Sequence, residues 1–224
     1  MTRTVGIYIY DDVEVLDLGG PFEVFSTASR VKAKFNPAAL KPFEVFTVAD
    51  KMRPIRARAG LTVQPSFDIT NHPALDVLII PGGVHTAELE RDSIIQWIAR
   101  TAAKAELTAS VCTGAFLLAK AGLLRGKTIT THWEDIADFR AMFPDIMVRD
   151  DTRWVDAGEI ITSAGISAGI DMSLHLVARL ESGELAVRTA RQMDYEWHRH
   201  RRRRRDKLAS AIRVTSSLRC YRSS

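Results

Sequence analysis

The stretch LTASVCTGAFLLAKAGLLRGKTITTHW, residues 107–133, decides the fold. It opens with LTASVC (107–112), small and β-branched residues without charge, the pattern of a strand covered on both faces. Gly114 follows two positions after Cys112, and an apolar run at helical spacing then extends over 114–121. Strand, sharp turn and helix in that order are the layout of a nucleophile elbow, here with sulfur in place of oxygen. The same alternation continues on both sides. TVGIYIY (4–10), FEVFTVA (43–49) and DVLIIP (76–81) read as strands, and KTITT (127–131) as a shorter one. Helices are predicted over 21–31, where Pro21 suits a first turn, and over 87–103, 134–142, 170–180 and 185–197. Residues 55–63 read as a hairpin outside the main layer, and 154–156 with 159–163 as paired short strands around Ala157-Gly158. Strands alternating with helices predict an α/β doubly wound sandwich with a mostly parallel sheet. In such a sheet the site lies beyond the carboxyl ends of the strands. The loop after Tyr10, the Gly82-Gly83 pair and Cys112 all fall there.

Composition bounds the function classes. The chain has 224 residues, 46% of them hydrophobic, which suits one sizeable domain. No run of eighteen apolar residues is present, so no membrane span is expected. MTRTVGIYIY enters a strand pattern directly, without a signal-peptide apolar region. Two cysteines, Cys112 and Cys220, are too few for a disulfide framework, and a reducing, cytoplasmic setting is expected. The net charge of +4 is unevenly spread: from His198 onward there are ten Lys/Arg and one Asp, +9, leaving −5 on residues 1–197. The folded domain (1–198) is therefore not expected to bind nucleic acid. The arginine-rich tail (199–224) reads as a solvated, disordered extension, with contact to phosphates as the alternative.

Cys112 is the leading candidate nucleophile. A turn projects its side chain from the sheet, and the helix start beneath it is expected to favour thiolate over thiol. The Thr113 N–H is placed to stabilise negative charge on a substrate. The alternative is a buried cysteine packing as a small hydrophobe. Asp17 lies between Leu16 and Leu18, ahead of Gly19-Gly20-Pro21, where an acid among apolar neighbours would have a raised pKa and hold a proton; the alternative is a helix cap. Asp11, Asp12 and Glu14 read as a solvated loop. Gly82 and Gly83 permit close backbone approach, with the Gly83 N–H a candidate second oxyanion donor, or form a plain tight turn. His132 reads as a base, a substrate contact or a helix-start residue. SAGISAGID (163–171) reads as a small-residue loop approaching the elbow, or more simply as a plain helix start. No zinc or iron spacing is present, nor any Gly-rich nucleotide loop, so no metal and no cofactor is expected.

Taken together, VLDLGGPFEV, IIPGG, SVCTGAFLLAKAGLLRGKTITTHW and ITSAGISAGIDM resemble the ThiJ/PfpI superfamily (class I glutamine amidotransferase-like) over residues 3–197. They look most like the branch holding isocyanide hydratases and the amidase-like N-terminal domains of AraC-type regulators. Thr113 stands where the protease-like branch has histidine, and Asp17 where the deglycase-like branch has glutamate. The resemblance implies a flavodoxin-like fold, a homodimer and a small-molecule substrate. It also implies that Cys112 is a nucleophile hydrogen-bonded to Asp17, that Thr113 helps hold water or substrate, and that the Ile166 carbonyl contacts the cysteine. The implied activity is hydration of an isocyanide to an N-substituted formamide. The alternatives are an amidase or glyoxalase-like enzyme, and a non-enzymatic ligand or oxidant sensor using the same cysteine.

Overall fold

A computed structural model describes residues 1–199. The expected tail, 199–224, lies outside the described residues but for Arg199, as does Cys220. The chain runs through β1 (Arg3–Tyr8), α1 (Val15–Phe35), β2 (Phe43–Ala49), β3 (Ile55–Arg56), β4 (Thr62–Val63), β5 (Phe67–Asp68) and β6 (Val77–Ile80). It continues with α2 (Thr86–Leu89), α3 (Asp92–Ala102), β7 (Leu107–Val111), α4 (Gly114–Lys120), β8 (Thr128–Ile129) and α5 (Ile136–Met142). The last elements are β9 (Met147–Val148), β10 (Trp154–Asp156), β11 (Ile160–Ser163), α6 (Ala168–Leu180) and α7 (Gly183–Gln192).

Seven strands form the central sheet in the order β10-β11-β7-β6-β1-β2-β5. All neighbours are parallel except β10 against β11. This is the expected α/β flavodoxin-like sandwich. Strands β6, β7 and β11 are buried at every position, which is why their sequences are continuous apolar or small-residue runs. Helices cover both faces, α1 packing with α6 and α7, and α4 with α2 and α3. α3 buries Ile94, Ile95, Trp97 and Ile98, one stripe at helical spacing. α7 starts on Ser182, whose hydroxyl accepts the Leu185 N–H at 3.1 Å. Among the described residues no helix is long and apolar enough to cross a membrane.

Four expectations change, one of them the helix expected over 185–197, which ends at Gln192. The first helix begins at Val15, not Pro21, so Asp17 lies in its first turn and Pro21 inside it. Gly19-Gly20-Pro21 reads as a break, but tertiary packing overrides propensity: Gly20 lets α1 lie against Ile170 of α6. The predicted 87–103 helix is two, α2 and α3. The 127–131 strand leaves the main layer and pairs through β8 with β9.

The chain passes from β1 to β2 on one side and then to β6 on the other, so the sheet's topological switch lies at β1. The crevice there, with the adjoining end of β7, is where this architecture places a site.

Candidate active site

β7 ends at Val111 and α4 begins at Gly114, leaving Cys112 to make the turn with φ +56°. A non-glycine residue in that left-handed region is strained by roughly 1–2 kcal/mol. Two bonds hold it there. The Cys112 N–H donates to the Ser163 carbonyl at 3.1 Å, and Thr131 Oγ1 donates to the Cys112 carbonyl at 2.8 Å. The side chain is thereby thrown out of the sheet into a cleft of about 330 Å³.

The expectation of a resting thiolate is reversed. Burial pushes the thiol well up and the nearby Asp17 charge pushes it further, outweighing the Thr113 N–H that favours thiolate. Asp17 is fully buried. Burial, aided by the charge of Glu14, raises its carboxyl to about 7. The Gly82 N–H is the largest opposing influence, and the Cys112 thiol and Ile166 N–H add smaller ones. Oδ2 accepts the Gly82 N–H at 3.1 Å. Oδ1 is buried without a donor in hydrogen-bonding geometry. Cys112 and Asp17 are therefore a coupled pair, with the thiol the weaker acid.

Both glycine amides are taken by side chains, Gly82 by Asp17 and Gly83 by Thr113. The Gly83 N–H donates to Thr113 Oγ1 at 2.9 Å, and that hydroxyl donates back to the Gly83 carbonyl at 3.0 Å. The expected second oxyanion donor is thus already spent, and so is the Thr113 hydroxyl proton. A Cβ on Gly82 would lie 2.6 Å from the Thr113 nitrogen and 2.8 Å from Cys112 Cβ. Only glycine lets this backbone approach the elbow so closely.

Cys112, Thr113, Gly83, His132 and Ile166 line one cleft, while Asp17 and Gly82 lie beneath it. His132 Nδ1 faces Asp135 Oδ2 at 3.1 Å, and its ring edge packs where a Cβ on Gly165 would sit. Ile166 has φ +55°, a pronounced outlier for a β-branched residue. Its carbonyl accepts the Gly169 N–H at 3.1 Å, and it is its amide that addresses Asp17. SAGISAGID is therefore a strained wall of the cleft and more than a plain helix start.

Sequence reasoning missed Arg58, Trp133, Glu134 and Asp135, which also line the cleft, and took Glu14 for a solvated loop residue. Glu14 is ion-paired to Arg58 at 3.2 Å. The adjacency of Trp133-Glu134-Asp135 to His132 was the one available signal. Among the described residues no cluster of His, Cys, Asp and Glu is placed to hold a metal ion.

Residues 3–179 match the model of the DJ-1/PfpI family. The chain is 34% identical over 196 residues to an isonitrile hydratase of Pseudomonas putida, covering 87% of this chain and 79% of that one. It is 27% identical over 194 residues to the HTH-type transcriptional regulator GbdR of Pseudomonas aeruginosa, covering 87% of this chain and 51% of the regulator, about half its length. A crystal structure of a ThiJ/PfpI family protein from Pseudomonas syringae superposes with a TM-score of 0.77 at 26% identity, covering 97% of this chain and 85% of that one.

Proposed function

The chain belongs to the DJ-1/PfpI family, and from that membership and its buried Cys112–Asp17 pair we propose that it is a cysteine-dependent hydratase converting an isocyanide to an N-substituted formamide. The observation that carries the reading is a fully buried Asp17 carboxyl, held by the Gly82 N–H at 3.1 Å and with no cationic partner among the described residues, beneath the elbow cysteine; burial pushes the pKa of both groups up. An isocyanide's terminal carbon accepts a nucleophile and also carries a lone pair, so it needs both sulfur and a proton at one atom. The pair supplies both.

Ionised Asp17 takes the Sγ proton as sulfur attacks the terminal carbon, and returns it to that same carbon. The S–C and C–H bonds form, giving a thioimidate. Water adds across its C=N bond, hydroxyl to carbon and proton to nitrogen. Collapse breaks the C–S bond, the departing sulfur regains a proton by way of Asp17, and the formamide leaves. The sum is isocyanide plus water.

The test is formamide production from an alkyl isocyanide, followed by NMR. Wild-type protein should turn over and Cys112→Ala should not. A wild type without product, or a fully active Cys112→Ala, overturns the reading.

The polar cleft lining, Arg58 and His132 in particular, favours a second reading, an amidase or glyoxalase-like activity on a substrate with a further carbonyl. Release of ammonia from small amides, or of lactate from methylglyoxal, would support it over hydration.

A further inference from the structure

The reaction proposed for Cys112 uses the floor of its cleft. The walls carry a feature that reaction does not explain. Three carboxylates, Glu14, Glu134 and Asp135, line the cleft with a single guanidinium, Arg58. Arg58 is committed to Glu14 at 3.2 Å. Asp135 is turned toward His132 Nδ1, and Glu134 lies 3.9 Å from the same nitrogen with its side chain 64% exposed. The negative side of the cleft is thus the segment 132–135. Within it Trp133 is 64% exposed, an indole face left open to solvent. Its neighbours are the groups that would hold a cation over that face. Asp17, buried below Cys112 with its carboxyl raised to about 7, adds a partial negative charge from the floor of the cleft. The field reaches the nucleophile, since the charges of Asp17 and Asp135 both act on the Cys112 thiol.

With Arg58 balanced by Glu14, the lining keeps an excess of negative charge, and a cleft with such an excess focuses its field on whatever enters. We propose that this cleft selects its substrate by charge: it admits electrophiles bearing a cationic or uncharged substituent, with Trp133 and Glu134 receiving an ammonium group, and repels anionic ones. The inference rests on the preceding reading only in taking Cys112 as the reacting group.

The test uses the full chain with Cys220→Ser, which leaves Cys112 as the sole cysteine. Three methanethiosulfonates are compared, carrying a trimethylammonioethyl, a methyl or a sulfonatoethyl group. Each reacts by attack of the Cys112 sulfur on the sulfenyl sulfur, forming a mixed disulfide and expelling methanesulfinate, so the bond-making step is common to all three and the cationic and anionic reagents, of similar size, differ chiefly in charge. Rates are normalised to those of 2-mercaptoethanol, a thiol without a further charge, under the same conditions. The cationic reagent is expected to gain at least about tenfold over the anionic one at low ionic strength, with most of that gain lost in 1 M salt. Glu134→Gln, at an exposed position outside the proposed chemistry, should cut the ratio severalfold. Trp133→Ala should slow the cationic reagent by a larger factor than the methyl reagent. A normalised ratio near one, or a ratio indifferent to both salt and Glu134→Gln, overturns the proposal. Charge selection that persists in a protein unable to hydrate isocyanides would overturn the reaction and keep the selectivity; hydration with a flat ratio would do the reverse.

Discussion

Asp17 and Asp171 are both aspartates in the first turn of a helix, and both are fully buried. Their surroundings differ in one respect. Asp171 is satisfied on each oxygen: Oδ2 accepts from Arg153 Nε at 2.5 Å, and Oδ1 accepts the His198 N–H at 2.9 Å. The Trp197 indole donates to its backbone carbonyl at 3.2 Å. Asp171 thus ties the segment after α7 and Arg153 to α6. Asp17 has the Gly82 N–H at 3.1 Å with smaller help from the Ile166 N–H and the Cys112 thiol, no cation among the described residues, and an Oδ1 without a donor in hydrogen-bonding geometry. A buried carboxylate with a guanidinium is an anchor, and one without is a group whose proton is available. Burial alone does not separate the two; the partner does.

Substitution should drive the two sites in opposite directions. The largest expected effect is on turnover. Asp17→Asn keeps shape and burial but can no longer pass a proton between sulfur and carbon, so formamide production should fall about 10²–10⁴-fold. A near-wild-type rate would remove Asp17 from the chemistry.

Stability comes next. Asp171→Ala leaves Arg153, whose side chain is 24% exposed, without its partner. It should cost about 3 kcal/mol, or a fall of roughly 6–12 °C in Tm, measured by calorimetry. Asp17→Asn should do the contrary at pH 8. An unfolded Asp17 ionises near 3.8, its folded counterpart near 7. Between those values the folded chain holds a proton that the unfolded chain releases. Stability is therefore greatest below about pH 4 on account of this group and declines as pH rises to 7. The decline is at most about 4 kcal/mol. Urea unfolding of Asp17→Asn at pH 5 and pH 8 should show that slope removed and the variant more stable at pH 8. An unchanged slope would mean that Asp17 does not titrate there.

The smallest expected effect is a tuning one. The hydration rate needs ionised Asp17 and should rise with pH through about 7. Glu14 raises the Asp17 midpoint by its charge, so Glu14→Gln should move that limb down by less than one pH unit. A limb that stays in place would separate Glu14 from the pair.

Much of this was legible in the chain. LTASVC and DVLIIP are strands because only a doubly covered strand tolerates such runs, and Gly114 marks where the helix starts. Asp17 drew notice because an acid between two leucines is costly unless it is used. The first helix's true start was not legible, since Gly19-Gly20-Pro21 has the composition of a break and only the approach of Ile170 explains its helicity. Nor were the roles of the Gly82 and Gly83 amides. A backbone N–H has no sequence signature, and both were spent on side chains 65 and 30 residues away.

Pattern and spacing by themselves therefore determined the alternation of elements, the elbow at Cys112 and the candidacy of Asp17, because these rest on local sterics and periodic burial. The protonation of the pair was decided by the tertiary structure alone. So were the Glu14–Arg58 pairing, the acidic wall at 132–135 and the contrast between Asp17 and Asp171. Each depends on which charges and dipoles from distant segments share one low-dielectric space, and distance in space is not written in distance along the chain.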